Sequence, residues 1–258
     1  ALATAKYSVY YGEGRDSYDK WGRTAHEAIF NTNDGNFRSP STQQGYSGYS
    51  TWTRGLSWAM LGFAEQLEFL QSQDSLPEFE ELGGKAYLED IFLKAAKASC
   101  DFYIEHTALD GIPYWDTGAP GLVHLPDWRS EKSDPFNNFE PIDSSAAAIG
   151  AQGLLRLGNY LKKEKSADAG KYWNAGLTVA NTVFEEPYLC SNPNHQGLIL
   201  HSIYHRPNGW DHIPENSQIP NGEACMWGDY HARELAHYLS EVIKGESYYT
   251  FFKGIVSE

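Results

Sequence analysis

Asp143-Ser-Ser-Ala-Ala-Ala-Ile-Gly-Ala-Gln-Gly153 is a helix opening written almost entirely in small side chains. Asp143 has the side-chain oxygen that caps a helix start by accepting from the first free backbone N–H groups. Small residues on one side let neighbouring helices approach closely, as the inner helices of a toroid must. The stretch therefore favours an all-α chain built as an array of antiparallel helical hairpins.

Working outward, apolar residues recur at helical spacing near residues 17–30, 50–71, 85–107, 143–163, 168–185 and 223–243. The segments between them carry turn chemistry: Asn33-Asp34-Gly35, Asp110-Gly111, Pro120-Gly121, Ser133-Asp134-Pro135, Asn192-Pro193 and Pro207-Asn208-Gly209. No low-complexity run or block of like charge divides the chain, so residues 1–258 read as one domain. The aromatic loop from Gly111 to Pro141 has the length and composition to line one rim of a helical array. Short extended stretches are expected too, Leu198 to Tyr204 for example.

The chain has 258 residues, 41% of them hydrophobic, enough to bury a full core. Its formal net charge of −14 argues against nucleic acid and anionic membrane surfaces, whose partners present basic patches. An anionic small substrate would need locally gathered positive charge. Cys100, Cys190 and Cys225 are odd in number and widely spaced, which indicates neither a disulfide framework nor a zinc site. No apolar run approaches membrane-spanning length, and Ala1-Leu-Ala-Thr-Ala-Lys-Tyr7 lacks the basic start and apolar core of a leader. Aromatic residues make up 14% of the chain, including 8 Trp and 17 Tyr; such rings stack on sugars and equally well fill cores.

Arg54-Gly-Leu-Ser-Trp58 opens a helix whose apolar stripe is Trp52, Leu56, Met60, Phe63, Leu67 and Leu70, with Ser50 or Thr51 as a hydroxyl cap. Arg54 and Trp58 lie four apart and share a helical face, a planar cation beside an indole. One reading is recognition of a carboxylated sugar: Arg54 forks onto the carboxylate, Trp58 stacks, and Gln44 donates to an oxygen. The other is an interior arginine paired with a structural acid. Tyr114-Trp115-Asp116 has the composition of a loop that sets Trp115 against a ligand, or of a loop anchored by its own aromatics. At Cys225-Met-Trp-Gly-Asp229, Trp227 faces a cavity or Asp229 caps and orients. His201 and His205 have no metal-site context, and there is no phosphate loop or nucleophile elbow. No metal and no cofactor are expected.

Four stretches in order carry a resemblance. They are Gln44-Gly-Tyr46 with Ser50-Thr-Trp-Thr-Arg-Gly-Leu-Ser-Trp58, then Asp110-Gly-Ile-Pro-Tyr-Trp-Asp116, Asp143-Ser-Ser-Ala-Ala-Ala-Ile149 and Trp227-Gly-Asp-Tyr230. Together they resemble the signature stretches of the unsaturated glucuronyl hydrolases of glycoside hydrolase family 88, from about residue 10 to residue 243. The resemblance implies an (α/α)6 barrel. It also implies release of 4,5-unsaturated uronic acid from the non-reducing end of lyase-generated acidic oligosaccharides, glycosaminoglycan fragments among them. The chemistry it implies is hydration of the C4=C5 bond: an aspartic acid protonates C4 and activates water toward C5, and the resulting hemiketal collapses. The two-carboxylate spacing of ordinary glycosidases does not apply to that route.

By motif position the family's substrate-binding Gln, Arg and Trp fall on Gln44, Arg54 and Trp58, and Arg38 stands where a family His is expected after an Asp-Gly turn. The same comparison places the catalytic aspartic acid upstream of Ala1, so the chain is expected to be the C-terminal portion of the barrel, with its N-terminal part missing. The partner expected is an oligosaccharide ending in unsaturated uronic acid, in the bacterial cytoplasm or periplasm; oligomeric state stays open. An unsaturated rhamnogalacturonyl hydrolase shares fold and chemistry, and a non-catalytic acidic-glycan-binding module fits the absent aspartic acid.

Overall fold

A computed structural model describes residues 1–252. Five long helices form where the apolar spacing places them: α2 (Thr53–Ser72), α4 (Lys85–Glu105), α5 (Ser144–Lys163), α6 (Ala169–Val183) and α7 (Met226–Lys244). Two short helices, α1 (Leu2–Tyr7) and α3 (Pro77–Glu81), lie outside the expected set. The segment 17–30 is not helical. Gly22 takes a positive φ of 80°, Val9 pairs with Thr24, and Glu27–Phe30 becomes β1 of a hairpin with β2 (Phe37–Ser41). The β-branched Thr24 and Ile29 suit that extended backbone, and Asn31 to Asn36 closes the turn the Asn-Asp-Gly sequence anticipates.

Helix α5 is the axis of the fold. Every residue from Ser144 to Gly158 is buried, because α2, α6 and α7 pack around the helix and α4 touches it too. The connections from α2 to α4 and from α5 to α6 turn the chain back beside itself, giving helical hairpins. The small side chains explain how the helices come so close. A methyl at Gly153 would sit 2.8 Å from Leu61 N and from Met60 C, and one at Gly158 would sit 2.7 Å from Trp173 N. These are backbone atoms, which cannot swing aside. Gly153→Ala is expected to destabilise the chain by about 1–3 kcal/mol in urea unfolding. Gly170→Ala, where the new methyl meets nothing within 4 Å, is expected to be neutral or mildly stabilising. Equal costs for the two would refute the close-approach account.

One end of the array collects the starts of α2, α5 and α7. The α4–α5 loop pins the first two: Trp52 pairs with Asp116 and Tyr114 with Ile142 in short bridges, while Thr53 N donates to Trp115 O and Asp143 N to Pro113 O. Asp116, fully buried, accepts from Tyr46 N and Gly118 N, which ties the Gln44–Ser50 loop to the same layer. Burial pushes its carboxyl above the usual range. Cys100, Cys190 and Cys225 are free thiols. No helix among the described residues is long and apolar enough to cross a membrane.

Candidate functional site

Asp143 caps α5 as its sequence position anticipates, accepting from Ser145 N and Ala146 N. Its second oxygen takes a further partner, Arg54 Nη1 at 3.0 Å. Arg54 reaches this point from the first turn of α2 and is only 4% exposed. Nη1 also donates to Ile203 O, and Nη2 donates to Tyr204 O at 2.8 Å and to Gln44 Oε1 at 3.1 Å. The guanidinium carbon lies 4.8 Å from the Trp52 ring centre and 5.0 Å from that of Trp227. Arg54 is therefore an interior cation, paired and flanked by indoles. A direct fork onto a ligand would have to displace backbone carbonyls.

In front of this buried cation lies a hollow of about 410 Å³ whose walls include His26, Gln44, Trp52, Gly55 and Trp58. No Asp or Glu is among its lining residues. Trp58, 42% exposed, presents its indole here and is held by an edge contact to His231, ring centres 4.9 Å apart. Gln44 connects hollow and cation. Because its Oε1 accepts from Arg54, its Nε2 amino group is the end left to donate outward. No side chain caps the first turn of α2, where the Thr53 N–H is instead taken up by Trp115 O; Ser50 and Thr51 do not serve as its cap.

His26 is the residue that sequence reading missed. It directly precedes β1, and the pairing of Glu27 with Ser41 carries it to the Gln44 loop. There its Nδ1 accepts from Gln43 N at 3.2 Å and Gln44 N at 3.4 Å. A nitrogen that accepts carries no proton, so the neutral tautomer has its N–H on Nε2. Burial lowers the imidazole pKa, and the Arg54 charge lowers it further while Glu27 opposes. With the folded value below the unfolded one, this group's contribution to stability is present above the unfolded pKa of about 6.5. It is lost as pH falls through the folded value. A nuclear magnetic resonance titration of the His26 ring is expected to show a midpoint below 6.5; a midpoint above it would contradict the arrangement.

The remaining sequence candidates are elsewhere. Arg38 stands exposed on β2 and is not among the lining residues, so the imidazole of this hollow is His26 and position 38 contributes no cation to it. Trp115 turns inward, buried, with its indole N–H donated to Glu140 Oε2 at 2.8 Å. Its loop is anchored by its own aromatic. Asp229 accepts from Leu198 N and Ile199 N, an orienting role, and Trp227 donates to Ser145 Oγ at 3.1 Å beside Arg54.

No family model matches the chain. An unsaturated glucuronyl hydrolase of Formosa agariphila is 29% identical over 211 residues, covering 81% of this chain and 41% of that protein. Another, from Bacillus sp. (strain GL1), is 26% identical over 223 residues, covering 86% of this chain and 48% of that protein. The chain is homologous to unsaturated glucuronyl hydrolases. The crystal structure of the Bacillus unsaturated glucuronyl hydrolase, described as responsible for the degradation of glycosaminoglycan, superposes with a TM-score of 0.66 at 24% identity. That match covers 94% of this chain and 51% of the Bacillus hydrolase, and it identifies the helical array as part of an (α/α)6 barrel. The chain spans about half the length of the unsaturated glucuronyl hydrolases it matches.

Proposed function

We propose that this chain forms the uronate-holding wall of a glycoside hydrolase that releases 4,5-unsaturated uronic acid from lyase-generated, glycosaminoglycan-type oligosaccharides. Gln44 is the observation that carries the reading: it lines the hollow while its amide oxygen is fixed on Arg54. A substrate carboxylate then meets Gln44 Nε2 and His26 Nε2–H directly and the Arg54 charge from behind. Part of that charge is neutralised by Asp143. Trp58 offers its exposed face to the pyranose ring.

In this account the wall binds and orients, and the proton for C4 comes from outside it, since the lining has no carboxyl group. The names of the relatives favour a glucuronyl over a rhamnogalacturonyl substrate. The test is to incubate the protein with lyase-digested chondroitin or hyaluronan and follow the ultraviolet band of the conjugated uronate. Loss of the band is the expected result for a protein that joins this wall to the acid supplying the C4 proton; for the wall by itself, binding that leaves the band intact is expected, and absence of binding would overturn the reading. Trp58→Ala is expected to weaken binding of the unsaturated disaccharide by about 1 kcal/mol, roughly fivefold, from the lost ring contact. Unchanged affinity in calorimetry would remove Trp58 from the site.

A further inference from the structure

A second cavity, of about 450 Å³, lies between the Tyr46–Ser50 loop and the C-terminal end of α4. Lys20, Arg129 and His106 contribute to its lining, as do the exposed rings of Tyr18 and Tyr49, whose centres are 5.4 Å apart. The chain carries 20 Lys and Arg against 34 Asp and Glu. Here neither Lys20 nor Arg129 has a carboxylate within 4.0 Å among the described residues, although Glu105 shares the lining. Below them Arg23, 3% exposed, is fixed by Asp16 at 2.7 Å and Tyr49 O at 3.0 Å, and its Nε–H has no acceptor.

His106 lines the same cavity as these two cations. Its ring stacks on Phe102 at 3.9 Å, and Nδ1 lies 3.0 Å from Phe102 O. A carbonyl only accepts, so Nδ1 carries the proton and Nε2 is bare in the neutral ring. Burial is the main cause of its lowered pKa; the charges of both Arg129 and Lys20 lower it too, against Phe102 O and Glu105, which raise it. We infer that this cavity is a second saccharide site, distinct from the hollow at Gln44 and Trp58. It takes an anionic sugar, with its sulfate or carboxylate between Lys20 and Arg129 and its ring against Tyr18 and Tyr49. An anion there would also favour the protonated form of His106, which gains a donor at Nε2.

The probe is a saturated, sulfated chondroitin disaccharide, which lacks the double bond attributed to the substrate of the hollow. It is titrated at constant ionic strength while the His106 ring is followed by nuclear magnetic resonance and binding by calorimetry. The expected result is an upward move of the His106 midpoint on binding. Affinity is expected to fall at least tenfold in the Lys20→Ala/Arg129→Ala double variant, and several-fold in Tyr18→Ala. Arg38→Ala, which removes an exposed cation that lines neither cavity, is expected to leave it unchanged, and the His26 ring resonances are expected to stay still, which separates this site from the reading of the hollow. Both cations are exposed, so their replacement leaves the fold intact, as circular dichroism will show. A silent His106 or undiminished binding in the double variant would overturn the inference. So would inorganic sulfate alone binding as well as the disaccharide, because the site would then recognise an ion and no sugar.

Discussion

Asp143→Ala is expected to unfold the chain at markedly lower urea, with a stability loss of about 3–5 kcal/mol from stranding Arg54 in the interior. About 1 kcal/mol more follows from losing the N-cap of α5. The size follows from where the two groups sit. Asp143 is fully buried and Arg54 nearly so, and the pair joins the starts of α2 and α5. A loss of this size is a large share of the 5–15 kcal/mol that holds an ordinary domain together. Asp143→Asn keeps a good capping oxygen and removes the charge, so it isolates the ion pair. Adding Arg54→Met to Asp143→Ala is expected to recover much of the loss, because no unpaired charge then remains buried. Circular dichroism in urea measures all three variants. An Asp143→Ala chain within 1 kcal/mol of the parent would show that Arg54 is satisfied without it. The same reasoning makes Arg54→Ala a poor probe of ligand binding, since it strands Asp143 in turn.

Glu68→Ala is expected to have a comparable effect at the opposite end of the same helices. Glu68 of α2 and Arg156 of α5 meet at 2.7 Å with little solvent access, Glu65 lies 3.8 Å from the same guanidinium, and Tyr248 donates to Glu68 at 2.7 Å. Removing the glutamate leaves a buried guanidinium whose Nε–H already lacks an acceptor, at a cost of about 3–5 kcal/mol. The pair is buried between α2 and α5, so a shape-conserving apolar replacement of both members, Glu68→Leu with Arg156→Met, is expected to be far milder than either single change. Urea unfolding of the two single variants and the double variant forms the cycle. Additive losses would mean that the two side chains act separately.

The long helices were legible because each carries an apolar stripe several turns long, and α5 announced its central place through small residues that only a crowded helix requires. The segment 17–30 misled because a short apolar spacing fits a helix until Gly22 and the pairing of Val9 with Thr24 are known. Within the site, Trp58 stood out by its helical spacing from Arg54, and Gln44 by its place in the motif; both line the hollow. Arg54 could be seen but not its saturation, since Asp143 and Ile203 lie 89 and 149 residues away. The inward turn of Trp115 depends on Glu140, 25 residues on, which the sequence does not mark as its acceptor. His26 stayed hidden because it reaches the hollow through the β1–β2 hairpin, and a helical reading of its segment sends it elsewhere.

The proposed wall holds an unsaturated uronate through Gln44 and His26. The most direct measurement titrates a 4,5-unsaturated, unsulfated chondroitin disaccharide into the protein and into Gln44→Ala while following the His26 ring resonances. The parent is expected to bind with clear His26 shifts, and Gln44→Ala is expected to lose about 1.5–3 kcal/mol, the usual worth of a hydrogen bond to a charged group. Equal affinity in the two proteins, or binding that leaves His26 undisturbed, would contradict it.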